Sequence, residues 1–202
     1  DALRPYPGGL QLGGGINADN AAGYLDAGAS HVIVTSWIFR EGRVEWDRLK
    51  RIVGRIGKDR LVLDLSCRKR DGNYFVVTDR WQKFTATTLS AETLATLAHN
   101  CAEFLVHAVD VEGLCRGIDD ELVHNLADWT PIPTTYAGGA KSLEDLETVT
   151  RLGKGSSDLT IGLALDNFGG NGVKYEDCVA FNRRMAPAGG DEAGIGLERR
   201  AS

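Results

Sequence analysis

Short apolar runs recur along the 202-residue chain, separated by longer stretches with helical spacing. The runs are GLQLGGG at 9–15, HVIVTSW at 31–37, RLVLDLS at 60–66, EFLVHAVDV at 103–111, IPTTYAGG at 132–139 and DLTIGLAL at 158–165. Rich in Val, Ile, Leu and Thr and bounded by turn residues, they read as buried parallel strands. Between them, NADNAAGYLDAG, WDRLKRIVGRIG, SAETLATLAHNCA, DDELVHNLADW and KSLEDLETVTRLG carry apolar residues three and four apart, as amphipathic helices do. Asp19, Ser90 and Ser142 stand where helix N-caps belong. Strands alternating with helices predict an α/β protein built on a parallel sheet, either open and doubly wound or closed into a barrel.

An internal repeat separates those two options. LGGGI at 12–16 resembles YAGGA at 136–140, and HVIVTS at 31–36 resembles DLTIGL at 158–163, so each copy pairs a Gly-Gly strand end with a strand ending in small residues. A duplicated unit of about 125 residues with four strands predicts a (βα)8 barrel, the TIM-barrel fold, made of two half-barrels. The counterparts of the runs at 60–66 and 103–111 would fall before residue 1, so the chain is expected to lack the first two strand–helix units of that fold. The barrel domain is expected over residues 1–185. APAGGDEAGIGLERRAS at 186–202 has lost all periodicity and reads as a disordered tail.

Composition narrows the picture by exclusion. A 43% hydrophobic, 25% charged chain of net charge −5 can build a core and offers no basic stripe for nucleic acid; RKR at 68–70 is too short to change that. Cys67, Cys101, Cys115 and Cys178 lack the close spacing of a zinc site or a disulfide framework, which fits a reducing compartment. No apolar run is long enough to cross a membrane, and no signal peptide opens the chain.

In a β/α barrel, chemistry sits at the C-terminal ends of the strands. The repeat therefore predicts two equivalent phosphate sites: Gly14 and Gly15 with Thr35 and Ser36, and Gly138 and Gly139 with Gly162 and Leu163. Backbone N–H groups at a tight turn or a helix N-terminus would do the binding, and the ligand implied carries a phosphate at each end. Asp64 interrupts the apolar LVLDLS; it either caps the following loop or serves as a general acid or base at the barrel mouth. Asp110 repeats that arrangement one strand on, with a loop-bonding role as its alternative. His107 is either a satisfied wall residue or part of the site. Trp81, in the polar excursion TDRWQKF, either staples that loop to the rim or stacks on a flat heterocycle.

GGLQLGGGIN, HVIVTSWIF, LVLDLSCRKRDGNYFVVTDRWQKFT, EFLVHAVDVEGLCRGID, TYAGGAKS and LALDNFGG together resemble the eukaryotic form of a histidine-biosynthesis enzyme family, the phosphoribosylformimino-aminoimidazole-carboxamide ribotide isomerases. The resemblance spans residues 8–185. It implies a two-half (βα)8 barrel acting on a small-molecule bis-phosphate ribonucleotide, without metal or organic cofactor, nucleic acid or membrane. The reaction implied is an Amadori rearrangement of an aminoaldose to an aminoketose. It further implies Asp64 as the general acid and Trp81 stacking on the imidazole carboxamide. Phosphate binding falls to Gly14, Gly15, Gly138 and Gly139, with Thr35, Ser36 and Gly162 beside them. The family's general base is an Asp on a first strand that this chain does not include. A threonine that assists in bacterial members is replaced near Val109, which leaves a polar role to His107 or Asp110. The resemblance thus implies an aldose–ketose isomerase, a monomer when full length, cytoplasmic or plastid-borne, with little activity in these residues alone. Its rivals are the cyclase subunit of imidazole glycerol phosphate synthase and a non-catalytic phosphate-binding barrel.

Overall fold

The computed structural model describes residues 3–185. Six strands form one parallel sheet in which spatial order follows chain order: β1 (Gln11–Gly13), β2 (His31–Val34), β3 (Leu61–Asp64), β4 (Glu103–His107), β5 (Thr134–Ala137) and β6 (Ser157–Thr160). Each crossover carries a helix: α1 (Ala21–Asp26), α2 (Trp46–Ile56), α3 (Ala91–Ala98), α4 (Asp120–Trp129) and α5 (Leu143–Leu152), with α6 (Tyr175–Met185) following β6. The predicted alternation of strands and helices is therefore present. β1 and β5 stop short of the ends of their apolar runs because the pairs Gly14–Gly15 and Gly138–Gly139 have already left the sheet.

The registers Gln11↔His31, Val32↔Leu61, Val62↔Glu103, Phe104↔Thr134 and Thr135↔Asp158 sort the sheet's residues onto two faces. On one face Val32, Val34, Leu61, Leu63, Phe104, Val106 and Tyr136 are fully buried beneath the helices. These helices contribute Leu49 and Ile52 from α2, Leu94 and Leu97 from α3, and Leu122 and Leu126 from α4. The core lies there, between sheet and helices.

The opposite face is polar and concave. Gln11 Nε2 on β1 donates to Glu103 Oε2 on β4 at 2.7 Å, and Thr135 Oγ1 on β5 donates to Glu103 Oε1 at 2.7 Å. In a flat sheet β1 and β4 would lie about 14 Å apart, and side chains standing perpendicular could not meet across that gap. The contact requires the sheet to curl around this face. Within the described residues β1 and β6 are its two edges.

Local chemistry explains the element ends, with one correction. Ser90 Oγ accepts the Thr93 N–H, and Ser142 forms a capping box with Asp145. Asp19 does not cap α1. Asn20 holds that position, bonding back across the turn to the Asn17 N–H, and the Asp19 carboxylate is turned outward to Arg51.

The segment after β3, expected only as a polar excursion, is a three-stranded antiparallel sheet: Cys67–Arg70, Asn73–Thr78 and Lys83–Thr88. Its paired faces hold Phe75 edge-to-face on Phe84, with Arg70 over both rings. Alternating polar and apolar residues here are a half-exposed sheet, not a loop. Helix α6 was not among the predicted elements, and the tail expected at 186–202 lies outside the described residues.

Candidate active site

Because β1 and β5 are parallel members of one sheet, both Gly-Gly turns leave it at the same end. Their backbones match. Gly14 and Gly15 have φ of 104° and 65°, Gly138 and Gly139 of 127° and 72°, conformations that favour glycine over any side chain. The repeat inferred from letters is thus also a repeat of backbone geometry.

Asp64 ends β3 between these turns. On its face of the strand the next inward positions are Val62 below and Ser66 above, so a carboxylate enters a buried wall, and only 8% of the residue is exposed. Ser66 Oγ donates to Asp64 Oδ1 at 2.9 Å, and Thr35 Oγ1 to Oδ2 at 3.4 Å. His107 Nδ1, from the end of β4, lies 3.3 Å from Oδ1. Burial alone would lower the His107 pKa. The hydrogen bond to Asp64, that residue's charge and the charge of Glu112 outweigh it and hold the ring above its ordinary value.

Trp81 reaches this cluster from the turn between the second and third strands of the small sheet. Its ring lies 6.3 Å from that of His107, tilted by 38°. Asp79, Arg80 and Trp81 all have φ between 52° and 68°, three consecutive non-glycine residues in the left-handed region. Such strain persists only where surrounding structure imposes it, and it gathers at ligand sites.

Three hollows line the strand ends in series. Gly15, Ile16, Thr35 and Ser36 border one of about 210 Å3. Thr35 and Ser36 also border the central one, about 360 Å3, with Asp64, Thr78, Arg80 and Trp81; that is the size range of small-molecule sites. His107 borders the third, about 70 Å3, with Glu112, Gly138, Gly139, Thr160 and Gly162. The predicted residues Gly15, Thr35, Ser36, Asp64, Trp81, His107, Gly138, Gly139 and Gly162 therefore lie along one mouth, with Gly14 adjoining.

Asp110 stands apart from them. Its Oδ1 accepts from Arg68 Nε at 2.7 Å and its Oδ2 from the Lys69 N–H at 2.9 Å, so its carboxylate ties the small sheet to the loop after β4. The N-terminus of α5 is also occupied: Asp145 Oδ2 takes the Lys141 and Ser142 N–H groups. An anion in the third hollow would meet the Gly-Gly turn and the Gly162 segment rather than that helix end. Sequence reasoning missed Ser66 and Arg80. Ser66 was findable, since a residue two positions beyond an inward aspartate faces the same way. Arg80 arrives only through the folding of the small sheet.

A family of sequences described as "Histidine biosynthesis protein" matches residues 6–169. The chain belongs to this family. It is 54% identical to a chloroplastic 1-(5-phosphoribosyl)-5-((5-phosphoribosylamino)methylideneamino)imidazole-4-carboxamide isomerase of Medicago truncatula, over 92% of this chain and 59% of that protein. Isomerases of the same name from Yarrowia lipolytica and Saccharomyces cerevisiae are each 50% identical over 92% of this chain and 73% of their own length. The chain thus spans about three-fifths of the Medicago relative and under three-quarters of the two fungal ones. Among the described residues no group of three or more His, Cys, Asp and Glu is placed to hold a metal ion, and no helix is long and apolar enough to cross a membrane.

Proposed function

We propose that this chain supplies most of an aldose–ketose isomerase acting on a bis-phosphorylated aminoimidazole carboxamide ribonucleotide. One observation carries the reading: two Gly-Gly turns of matched left-handed geometry lie at one end of a curled sheet, with the buried Asp64 between them. A ligand anionic at both ends can be gripped by both turns while its ribose lies over the carboxyl group. The names of relatives at about 50% identity support the same chemistry.

In the reading proposed, protonated Asp64 gives its proton to the ribose ring oxygen. The bond from that oxygen to C1′ breaks and the amino nitrogen closes a Schiff base. A general base then takes the C2′ proton, and the resulting enolamine gains a proton at C1′ while its C2′ hydroxyl gives one up to the base, leaving the ketone at C2′. Trp81 holds the planar heterocycle in the central hollow. The base implied by the family resemblance, an aspartate on a first strand, has no counterpart in residues 1–202. Turnover by this sequence alone should then be slight. The same reading closes the sheet into an eight-stranded barrel by two further strands between β6 and β1.

Replacing Asp64 with Asn in the intact enzyme tests the assignment. Loss of one acid step lowers kcat by about 10²–10⁴-fold while ligand affinity stays within a few-fold. Unchanged turnover would remove Asp64 from the chemistry. A phosphate-binding barrel without activity would keep its affinity and have no rate to lose, and a cyclase would respond to its own substrates with ammonia.

A further inference from the structure

We propose that His107 is a positioning residue for the proton donor, fixing one oxygen of Asp64 so that the transferable proton sits on the other. The inference rests on the reading of Asp64 as the acid. It begins from the bonding of the two carboxylate oxygens, which differ sharply. Oδ1 has two partners, Ser66 Oγ at 2.9 Å and His107 Nδ1 at 3.3 Å, whereas Oδ2 has only the long contact from Thr35 Oγ1 at 3.4 Å.

A proton shared by an imidazole and a carboxylate goes to the nitrogen, since the reference pKa of histidine stands about 2.5 units above that of aspartate. The bond is then Nδ1–H donating to Oδ1. With Ser66 donating to the same atom, Oδ1 is filled, and any proton the carboxyl group acquires is directed to Oδ2. That oxygen lies beside Thr35, which lines the central hollow together with Asp64, the carboxyl group over which the proposed reading lays the ribose. Without His107, both oxygens would compete for the proton, and part of the acid would point away from the substrate.

The surroundings hold the ring in place. His107 sits at the end of β4, in register with Ala137 on β5, with its side chain 23% exposed and the Trp81 ring against it. The charged groups acting on it are Asp64 from β3 and Glu112 from the loop after β4. The neutral ring with its hydrogen on Nδ1 already supplies the donor this contact needs, so the bond persists while Asp64 holds its own proton.

Nitrogen-resolved NMR of the histidine rings tests the pair without any assay of activity. His107 should carry its proton on Nδ1 at neutral pH and titrate above an ordinary histidine, and Asp64→Asn should lower its midpoint. A bare Nδ1 in the neutral ring, or a midpoint indifferent to Asp64→Asn, would overturn the proposal. Kinetics of the intact enzyme separate positioning from bulk. Asn can place an amide N–H where Nδ1 stands, so His107→Asn should retain turnover within about threefold, whereas His107→Leu should lose about tenfold or more in kcat with little change in KM. Equal kcat for the Asn and Leu variants would sink the role assigned to the donor. Should Asp64→Asn keep full turnover while the NMR result holds, Asp64 is not the acid, and the hydrogen-bonded pair has a structural role only.

Discussion

Gly15 and Gly139 occupy corresponding turns, yet one methyl group would meet different surroundings at each. A Cβ on Gly139 would lie 2.1 Å from the Gly117 carbonyl oxygen, whereas one on Gly15 meets nothing within 4 Å. Both have positive φ, so both substitutions strain the backbone. We expect Gly15→Ala to cost about 1 kcal/mol, the penalty of the left-handed region. Gly139→Ala should exceed it by about 2 kcal/mol or more, since a core clash adds to that strain. Chemical denaturation of the two variants checks the order. The glycine pairs were legible in the sequence because glycine is the residue that adopts such backbone without strain. Asp110 was less so: in a strand-end pattern it looks like Asp64, and only its bonds to Arg68 and the Lys69 N–H reveal a structural tie.

The small antiparallel sheet acts as a roof, and its anchors are specific. Tyr74 donates to Asp119, within 3.0 Å of Oδ1 and 2.8 Å of Oδ2, at the N-cap of α4. Lys69 pairs with Glu121 on the same helix, and Arg68 with Asp110. Burial first, and then the bond to Asp119 and its charge, push the Tyr74 phenol well above the usual tyrosine range, so it donates at any physiological pH. Tyr74→Phe should cost about 1.5–3 kcal/mol by leaving a carboxylate short of a donor. It should also raise KM, because Trp81 rides on this sheet. A melting curve and a steady-state titration together distinguish this from a local packing effect. The residues of 67–88 alternate plainly enough to be strands once paired. Their polarity masks this in isolation, because the sheet has an exposed face.

Stability of the whole molecule should follow the His107–Asp64 pair. The folded pKa of His107 is raised above the ordinary 6.5. Its protonated form is therefore favoured by folding, and the resulting increment is complete below about pH 6.5 and fades as pH rises through the folded value. Unfolding free energy measured across that window should decline in the native chain and flatten in His107→Leu. An unchanged slope would show that the pair does not couple to global stability. The pair itself exists because the sheet is parallel and sequential: register sets Asp64 opposite Leu105, and His107 stands two residues further on, facing the same way.

Local pattern alone specified the alternation of strands and helices, the caps at Ser90 and Ser142 and the glycines of the matched turns. Each depends on side-chain period or on backbone freedom within a few residues, which a linear chain displays. The curl that joins Gln11 to Glu103, the approach of His107 to Asp64 across 43 positions, and the roof that brings Trp81 over both were decided only by tertiary structure. Those contacts come from how far neighbouring strands shift and bend when the apolar face closes on its helices. No single segment encodes that sum.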